Sequence, residues 1–269
     1  VILSTLLFGV INGAKVGLVI ALFFAGIAQW WLARKLDLGK VARMWSAFLV
    51  VVAGHLTGRM ELGVFGVMFS TALSSLVIVG IIDVAQTGRK RSAVLLGLFL
   101  ASALLAGQGY VQIGIIGLTP ALLILVLDKD LNIQPVWKMY GLALTLALML
   151  AAVFLVPFLH FSPRFIKDTD SAFQSVQPLK YIPLNLVVDK RTFYQQDTLD
   201  KLPYPYLYTL FIGWIPVMLA VFGLTKVEKK HKKLVWFFLT GILMELLIGS
   251  ALILKPLSSL FPKVAGIRF

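Results

Sequence analysis

The stretch Trp137–Phe158 reads WKMYGLALTLALMLAAVFLVPF, and it decides the fold of the chain. Its 22 residues carry one charge, that of Lys138, close to the start. A helix needs about 20 mostly apolar residues to cross the hydrocarbon core of a bilayer. Because lipid offers the backbone no hydrogen-bond partner, a crossing segment must satisfy its own amides and carbonyls, as a helix does. The stretch therefore predicts a membrane-spanning helix.

Seven other apolar segments predict further spans, and the second and fourth of the eight are short. In chain order the eight are Asn12–Ala33, Val41–Leu56, Val64–Ala85, Ala93–Ala106, Tyr110–Leu127, Trp137–Phe158, Tyr206–Leu224 and Leu234–Leu254. The apolar stretch Val1–Ile11 is either an interfacial helix or the tail of an earlier segment. We therefore expect an all-α, polytopic transmembrane helical bundle of about eight spans.

The composition agrees with a membrane protein. Hydrophobic residues make up 59% of the chain and charged residues 14%, and the mean hydropathy is +0.91. Soluble domains have about 45–50% apolar and about 25% charged residues. The net charge of +13 comes from basic residues in short breaks between apolar runs, which favours lipid headgroups over nucleic acid as their partner. The chain has no cysteine, so disulfides and cysteine-based metal sites are excluded.

The basic residues in alternate connections predict the orientation. One side has 14, in tight connections beside helix ends: Arg34, Lys35, Lys40, Arg43, Arg89, Lys90, Arg91, Lys129, Lys138, Lys226, Lys229, Lys230, Lys232 and Lys233. The other side has 10, spread mostly over two long segments. Short loops weigh most in the positive-inside rule, so the first side is predicted to be cytoplasmic.

Both ends of the chain then lie outside the cell, in what we expect to be a bacterial plasma membrane. We predict a single transmembrane domain over residues 1–269, with one long outer loop, residues 159–205, rich in proline and aromatic residues. The chain starts with Val1, not with methionine, and it ends at Phe269, next to the basic residue Arg268. We therefore expect it to be truncated at both ends.

Ionisable residues inside predicted spans each need a physical reason, because charge in lipid costs free energy. Lys15 either extends its ammonium group to the headgroups or faces an outer cavity and binds a phosphate. Glu245 is too deep to reach water, so it is neutral by protonation or paired inside the bundle, in a structural or a functional role. Asp83 is predicted to pair with the cluster Arg89–Arg91.

Two short outer connections concentrate polar groups. The first carries His55, Arg59 and Glu61, which suit acid–base chemistry, phosphate binding and orientation, or simply contact water. The second, between the fourth and fifth spans, carries Gln108, Tyr110 and Gln112 beside two glycines. Amides with exposed backbone suit sugar hydroxyls and phosphate oxygens, and they also suit turn capping.

Known catalytic and metal motifs are missing from the sequence. There is no Walker loop, no nucleophile elbow, no HExxH and no CxxC. The histidines His55, His160 and His231 are dispersed, so no metal site is predicted. The cofactor is left unknown, with a divalent cation as one option.

Three stretches resemble the bacterial polytopic membrane proteins of the GT-C glycosyltransferase class. The first is Ala28–Lys35, which ends Trp-Trp-Leu-Ala-Arg-Lys, continues with Leu36 and is followed at the next outer end by Gly54-His55. The second, Leu105-Ala106-Gly107-Gln108, is similar to the turn Leu-Ala-Gly-His-Pro-Gln, although Gln-Gly-Tyr stands where His-Pro is usual. The third is the terminal segment Phe261–Phe269. Their order and matching sidedness carry the resemblance.

The resemblance implies a transferase that takes a sugar from a polyprenyl-phosphate donor on the outer face, with inversion. The acidic catalytic residue of the class lies in the first outer loop, which would precede Val1, so none is assigned. Lys15, Arg59 and Arg268 are candidates to neutralise the phosphate. Two alternatives stay open: a non-catalytic accessory or structural subunit of a larger membrane complex, and a lipid or solute transporter, for which Glu245 is the reason.

The transferase hypothesis makes one prediction from the sequence alone. If Arg59 holds the donor phosphate, Arg59→Ala should abolish sugar transfer, because a bidentate guanidinium contact to phosphate has no replacement at that position. The rate of sugar transfer from a polyprenyl-phosphate donor measures this. Turnover retained at the parent rate would reject the role.

Overall fold

A computed structural model describes residues 2–61, 65–106, 114–126, 133–161, 179–190 and 210–260, and every regular element in these ranges is a helix. The prediction of an all-α fold is confirmed. The helices are α1 Ile2–Lys35, α2 Lys40–Val52, α3 Gly54–Glu61, α4 Phe65–Thr87, α5 Lys90–Leu105, α6 Thr119–Val126, α7 Ile133–Phe161, α8 Ile182–Asn185, α9 Trp214–Thr225, α10 Lys232–Gly249 and α11 Leu254–Leu260. The chain divides into two compact units, residues 1–112 with 128–161, and residues 113–127 with 162–269.

Four helical segments are long and apolar enough to cross a membrane. They are Ser4–Lys35, Lys40–Gly58, Met68–Thr87 and Val136–Phe161, all in the first unit. A fifth crossing is possible if the bent pair α10 and α11 counts as one span. The count of eight is not confirmed, because the apolar helices Gly114–Val126 and Trp214–Thr225 fall below the length of a span over their described residues. At 1.5 Å per residue, 12 residues reach only about 18 Å.

Helix α1 begins ten residues before the predicted start at Asn12 and contains a sharp turn. Gly9 adopts φ 77° and ψ 171°, which ends one helical segment and starts the next. A Cβ atom at Gly13 would lie 2.6 Å from the carbonyl oxygen of Ser4, so the segment before the turn folds back onto Gly13. The residues before Gly9 thus pack back on α1 itself. The two predictions for Val1–Ile11, an interfacial helix or the tail of an earlier segment, stay predictions.

The first unit is an up-and-down bundle in which α1 packs against α2 and α4, α4 against α5, and α5 against α7. Glycines let the backbones approach at two of these contacts. A Cβ at Gly80 of α4 would lie 3.1 Å from the Cα of Leu96, and one at Gly97 of α5 would lie 2.9 Å from the carbonyl oxygen of Ala143. Small residues at helix contacts are the usual way of packing helices in lipid, where the hydrophobic effect between helices is absent.

One end of this bundle carries the ends of α1 and α4 and the starts of α2, α5 and α7. Lys35 at the end of α1 forms an ion pair with Asp83 near the end of α4. The Tyr140 hydroxyl of α7 donates to the Ile81 carbonyl of α4 at 2.7 Å. We call this the basic end, since it gathers eight basic residues: Arg34, Lys35, Lys40, Arg43, Arg89, Lys90, Arg91 and Lys138.

The prediction that Asp83 pairs with Arg89–Arg91 is wrong, because its ion-pair partner is Lys35, on another helix. The C-terminal turn of α4 carries Asp83 towards the neighbouring helix end of α1. The side chains after residue 88 belong to the start of α5. Proximity along the chain was therefore a poor guide to the partner.

In the second unit, α10 packs against α6, and a break separates α10 from α11. Ala251 in the break has a positive φ of 55°, and the two helix axes differ by 64°. Within the predicted outer loop, the short helix α8 ends beside Leu186, whose carbonyl accepts hydrogen bonds from the amides of Ile212 and Gly213 at 3.0 Å. That part of the loop is therefore bound to the entry of α9. Residues 159–161, predicted to start the loop, instead end helix α7. Residues 162–178 and 191–205 lie outside the described residues.

Two left-handed residues end helices at the basic end of the first unit. After α1, Asp37 adopts φ 57°, its amide donates to the Arg34 carbonyl at 3.1 Å, and the Leu38 amide donates to the Ala33 carbonyl at 3.1 Å. This is the Schellman arrangement, in which glycine is the favoured residue at the left-handed position. After α4, Gly88 fills the corresponding position with φ 58°.

Asp37→Gly should therefore stabilise the protein by about 0.5–1 kcal/mol, because glycine adopts this conformation without a Cβ clash. Asp37 is exposed, so the substitution removes no packing. The measurement is reversible unfolding in detergent. Asp37→Ala is the control, since it removes the same charge and keeps the Cβ. Equal shifts for the two variants would contradict the conformational explanation.

Candidate functional site

The end of the first unit away from the basic end is built around a helix break. Ala53 leaves the helical conformation with ψ 147°, so α2 ends at Val52 and the short polar helix α3 begins at Gly54. On α3, the His55 Nε2 atom lies 3.0 Å from the Thr71 Oγ1 atom of α4. This hydrogen bond fixes the imidazole of a half-buried histidine against a membrane helix. A histidine so placed can donate or accept a proton near neutral pH.

An apolar cluster that includes Leu56, the residue after His55, lies at this end of the first unit. It consists of five buried residues from three helices: Ala21, Ala25, Leu56, Met68 and Ala72. Leu18 of α1 packs on the cluster, and Lys15 lies one helical turn before Leu18, with an exposed side chain. Lys15 is 20 residues from Lys35, or about 30 Å along a helix, which is the thickness of the hydrocarbon core. We call the group Lys15, His55, Ser70 and Thr71 the His55 end.

Ser70 adds an unusual polar atom to the His55 end. Its side chain is fully buried, and its Oγ atom has no hydrogen-bond partner among the residues that the structure describes. Buried hydroxyls are normally paired, because leaving one unpaired costs about 1–3 kcal/mol. Ser70 precedes Thr71, whose hydroxyl contacts His55. Two neighbouring hydroxyls, an imidazole and an ammonium group are the donors that a phosphate or a sugar accepts from.

A second polar group, deeper in the same unit, holds three helices together. The Gln29 amide of α1 donates to the Ser46 hydroxyl of α2 at 2.8 Å, and the Ser75 hydroxyl of α4 donates to the Gln29 amide oxygen at 2.8 Å. Every atom in this chain of hydrogen bonds has a partner on another helix. Such a network specifies which helix faces meet.

In the second unit, Glu245 of α10 lies against bare helix backbone. Its Oε2 atom is 3.2 Å from the position of a Cβ at Gly114, and its Oε1 atom is 3.1 Å from that of a Cβ at Gly117. No described residue gives Glu245 an ion pair or a hydrogen bond. The sequence predicts that Glu245 is either neutral by protonation or paired inside the bundle. The described residues contain no partner for it.

The other predicted site residues are not brought into this arrangement by any described contact. Arg59 and Glu61 belong to α3, and their side chains lie outside the described part of the chain. Gln108, Tyr110, Gln112 and Arg268 fall outside the described residues altogether. Among the described residues, no group of three histidine or acidic side chains could hold a metal ion.

Thr71, Ser70 and the Gln29 network were missed in the sequence. Each is a small or uncharged polar residue inside an apolar run, and such residues are common in membrane helices. Gln29 alone gave a signal, since a glutamine amide in the middle of a span needs a partner. Its partners are 17 and 46 residues away, which no spacing rule identifies.

Comparison with known proteins gives no identification. No protein-family model matches the chain, no curated protein matches it, and no solved structure matches it.

The Gln29 network leads to a prediction about stability. Gln29→Leu should lower the free energy of unfolding by about 1–2 kcal/mol, because two interhelical hydrogen bonds disappear and two hydroxyls lose their partner. Ser46→Ala and Ser75→Ala should each cost less, and neither should add its full cost to Gln29→Leu. The measurement is unfolding in detergent, analysed as double-mutant cycles.

Ser74→Ala is the matched control, because the Ser74 hydroxyl bonds within its own helix, to the Thr71 carbonyl at 2.7 Å. Strictly additive costs for Gln29 and its two serines would show that the network is not a unit.

Proposed function

We propose that this chain is a membrane glycosyltransferase of the GT-C kind, which takes a lipid-phosphate-linked sugar at the His55 end of the first unit. The observation that carries the proposal is the hydrogen bond between His55 and Thr71, whose neighbour in the sequence, Ser70, has a buried hydroxyl with no partner among the described residues. The resemblance of Ala28–Lys35 and of the turn at Gly107 to that class supports the same assignment.

The arrangement of charge supports an external site. Eight basic residues gather at the basic end, where Trp30, Trp31 and Trp137 also lie. The Arg34 guanidinium stacks over the Trp30 ring, 5.8 Å from its centroid. Tryptophan marks the headgroup level, and basic residues mark the cytoplasmic side. The His55 end then faces the outside of a plasma membrane, where a lipid-linked donor presents its sugar.

The donors at the His55 end suit a polyprenyl phosphate. Its phosphate can pair with the Lys15 ammonium group, and its oxygens can accept from the imidazole and from the Ser70 and Thr71 hydroxyls. The lipid tail needs an apolar surface beside these groups. Helix α1 offers one, because Val19 and Phe23 are exposed on the turns after Lys15. Polar donors above an apolar, lipid-facing surface are what an amphiphilic donor requires.

Transport of a lipid or solute is the second candidate, and the bent pair α10 and α11 favours it. Broken helices with an ionisable residue nearby are typical of transporters, which bind substrate where a helix is interrupted. Here four residues separate the end of α10 at Gly249 from the start of α11, and the two helix axes differ by 64°. Glu245 lies one helical turn before Gly249. An accessory subunit has no observation of its own in its favour.

The test is binding of polyprenyl phosphate to the full chain in lipid nanodiscs, with the dephosphorylated polyprenol as the comparison ligand. Lys15→Gln and His55→Gln should each weaken polyprenyl-phosphate binding by about five- to tenfold, since each removes a charged or polar contact of about 1–1.4 kcal/mol. Both should leave polyprenol binding unchanged.

Lys138→Gln is the matched control, because Lys138 is exposed at the basic end. Equal affinity for the two lipids would contradict the proposal. So would a Lys138→Gln variant that loses as much affinity as Lys15→Gln.

A further inference from the structure

Glu245 occupies the space left by two missing side chains on the helix opposite. In the second unit, the face of α10 formed by Gly241, Glu245 and Ile248 meets the helix Gly114–Val126. A Cβ at Gly241 would lie 2.8 Å from the Leu118 Cδ2 atom, and one at Gly117 would lie 2.7 Å from the Ile248 Cδ1 atom. The two helices are therefore in close contact on both sides of the carboxyl group.

Among the residues of the second unit that the structure describes, the charged groups nearest to Glu245 are remote. The helix Gly114–Val126 contains no ionisable residue. The other ionisable groups of α10 are Lys232 and Lys233 in its first turn, and the turn that packs on α10 is Lys229–His231. Twelve residues of helix separate Lys233 from Glu245, which is about 18 Å. Lys255 follows on α11, beyond the break.

The backbone opposite Glu245 offers an acceptor and no free positive charge. Residue 120 is proline, so the Ile116 carbonyl has no amide four residues ahead to bond with. This carbonyl belongs to the peptide group that leads into Gly117, the glycine that the Oε1 atom of Glu245 approaches. A protonated carboxyl can donate to a carbonyl, whereas a carboxylate can only accept.

Among the described residues, an ionised carboxylate in this contact would find neither a counter-charge nor a hydrogen-bond donor. Burying a charge in apolar surroundings without either costs several kcal/mol, and a titratable group avoids that cost by taking up a proton. The neutral form avoids that cost in the same position, and it can donate to a carbonyl. The close contact of the two helices therefore favours the protonated carboxyl group.

We propose that Glu245 is a proton-binding site, and that its bound proton is what allows α10 to pack against Gly114 and Gly117. Release of the proton loosens the contact, because the carboxylate then draws in water. This inference is independent of the transferase and of the transport proposal, since it concerns the ligand state of one carboxyl group. It gives the second unit a site whose ligand is the hydrogen ion.

The test is modification by dicyclohexylcarbodiimide, an apolar reagent for protonated carboxyl groups in membranes. The carboxyl gives its proton to a carbodiimide nitrogen and its oxygen adds to the central carbon, and the O-acylisourea rearranges to a stable N-acylurea. The full chain in nanodiscs is treated from about pH 5.5 to about pH 9, and the label is located by peptide mass spectrometry.

The parent protein should carry one label at Glu245 at low pH. Above the titration midpoint, labelling should fall by about tenfold per pH unit. Glu245→Gln should abolish it, and Glu228→Gln should leave it unchanged, since Glu228 is exposed outside α10. Thermal stability of the parent should fall as pH rises, because the proton-bound form is the one that packs, and Glu245→Gln should remove this dependence.

Two results would overturn the proposal. One is the absence of label at Glu245 at every pH, and the other is labelling that does not change with pH. If Glu245→Gln fails to fold, the pH series on the parent protein decides the question by itself, because the peptide map identifies the labelled residue.

Discussion

The absence of water from the hydrocarbon core is the constraint on which this structure depends. A backbone amide or carbonyl there has no partner outside the chain, so the described segments are helices. The same constraint acts on side chains. Gln29, Ser46 and Ser75 bond to one another across three helices, and the Tyr140 hydroxyl reaches a carbonyl of α4. Polar groups thus turn to the helix contacts, and the outer surface is left to residues such as Phe23 and Val153.

Close packing follows from the same physics. Lipid tails solvate leucine as well as another helix does, so helices associate through short backbone distances and dispersion contacts. Gly80 and Gly97 provide such distances in the first unit. Gly114 and Gly117 provide the same opening in the second unit, where a carboxyl group fills it. A glycine, because it has no side chain, therefore allows a close helix contact in the first unit and makes room for a carboxyl group in the second.

The sequence predicts features that depend on neighbouring residues, such as the length of an apolar helix. It does not predict contacts between residues that are far apart in the chain. Long apolar runs identified α1, α4 and α7, because span length is a property of the run itself. The helix after the turn at Gly9 starts close to the predicted Asn12, whereas the fold-back of the residues before it was not predicted, because it involves a tertiary contact with Gly13. The partner of Asp83 was misassigned, because the ion pair joins residues 48 apart. Lys15 and Glu245 were singled out through the cost of charge in lipid and His55 through its polar connection. Thr71 was not, since a threonine in a helix costs little.

Satisfied and unsatisfied polar groups have different meanings in such a protein. The polar groups of the Gln29 network are hydrogen-bonded, and Lys35 and Asp83 form an ion pair, which offsets the free energy that burying them costs. A structural role therefore accounts for them. Among the described residues, the Ser70 hydroxyl has no partner and none donates to Glu245. Each of these groups therefore costs free energy unless something else completes its bonding. The two proposals supply that partner: a phosphate or sugar at Ser70, and a proton at Glu245.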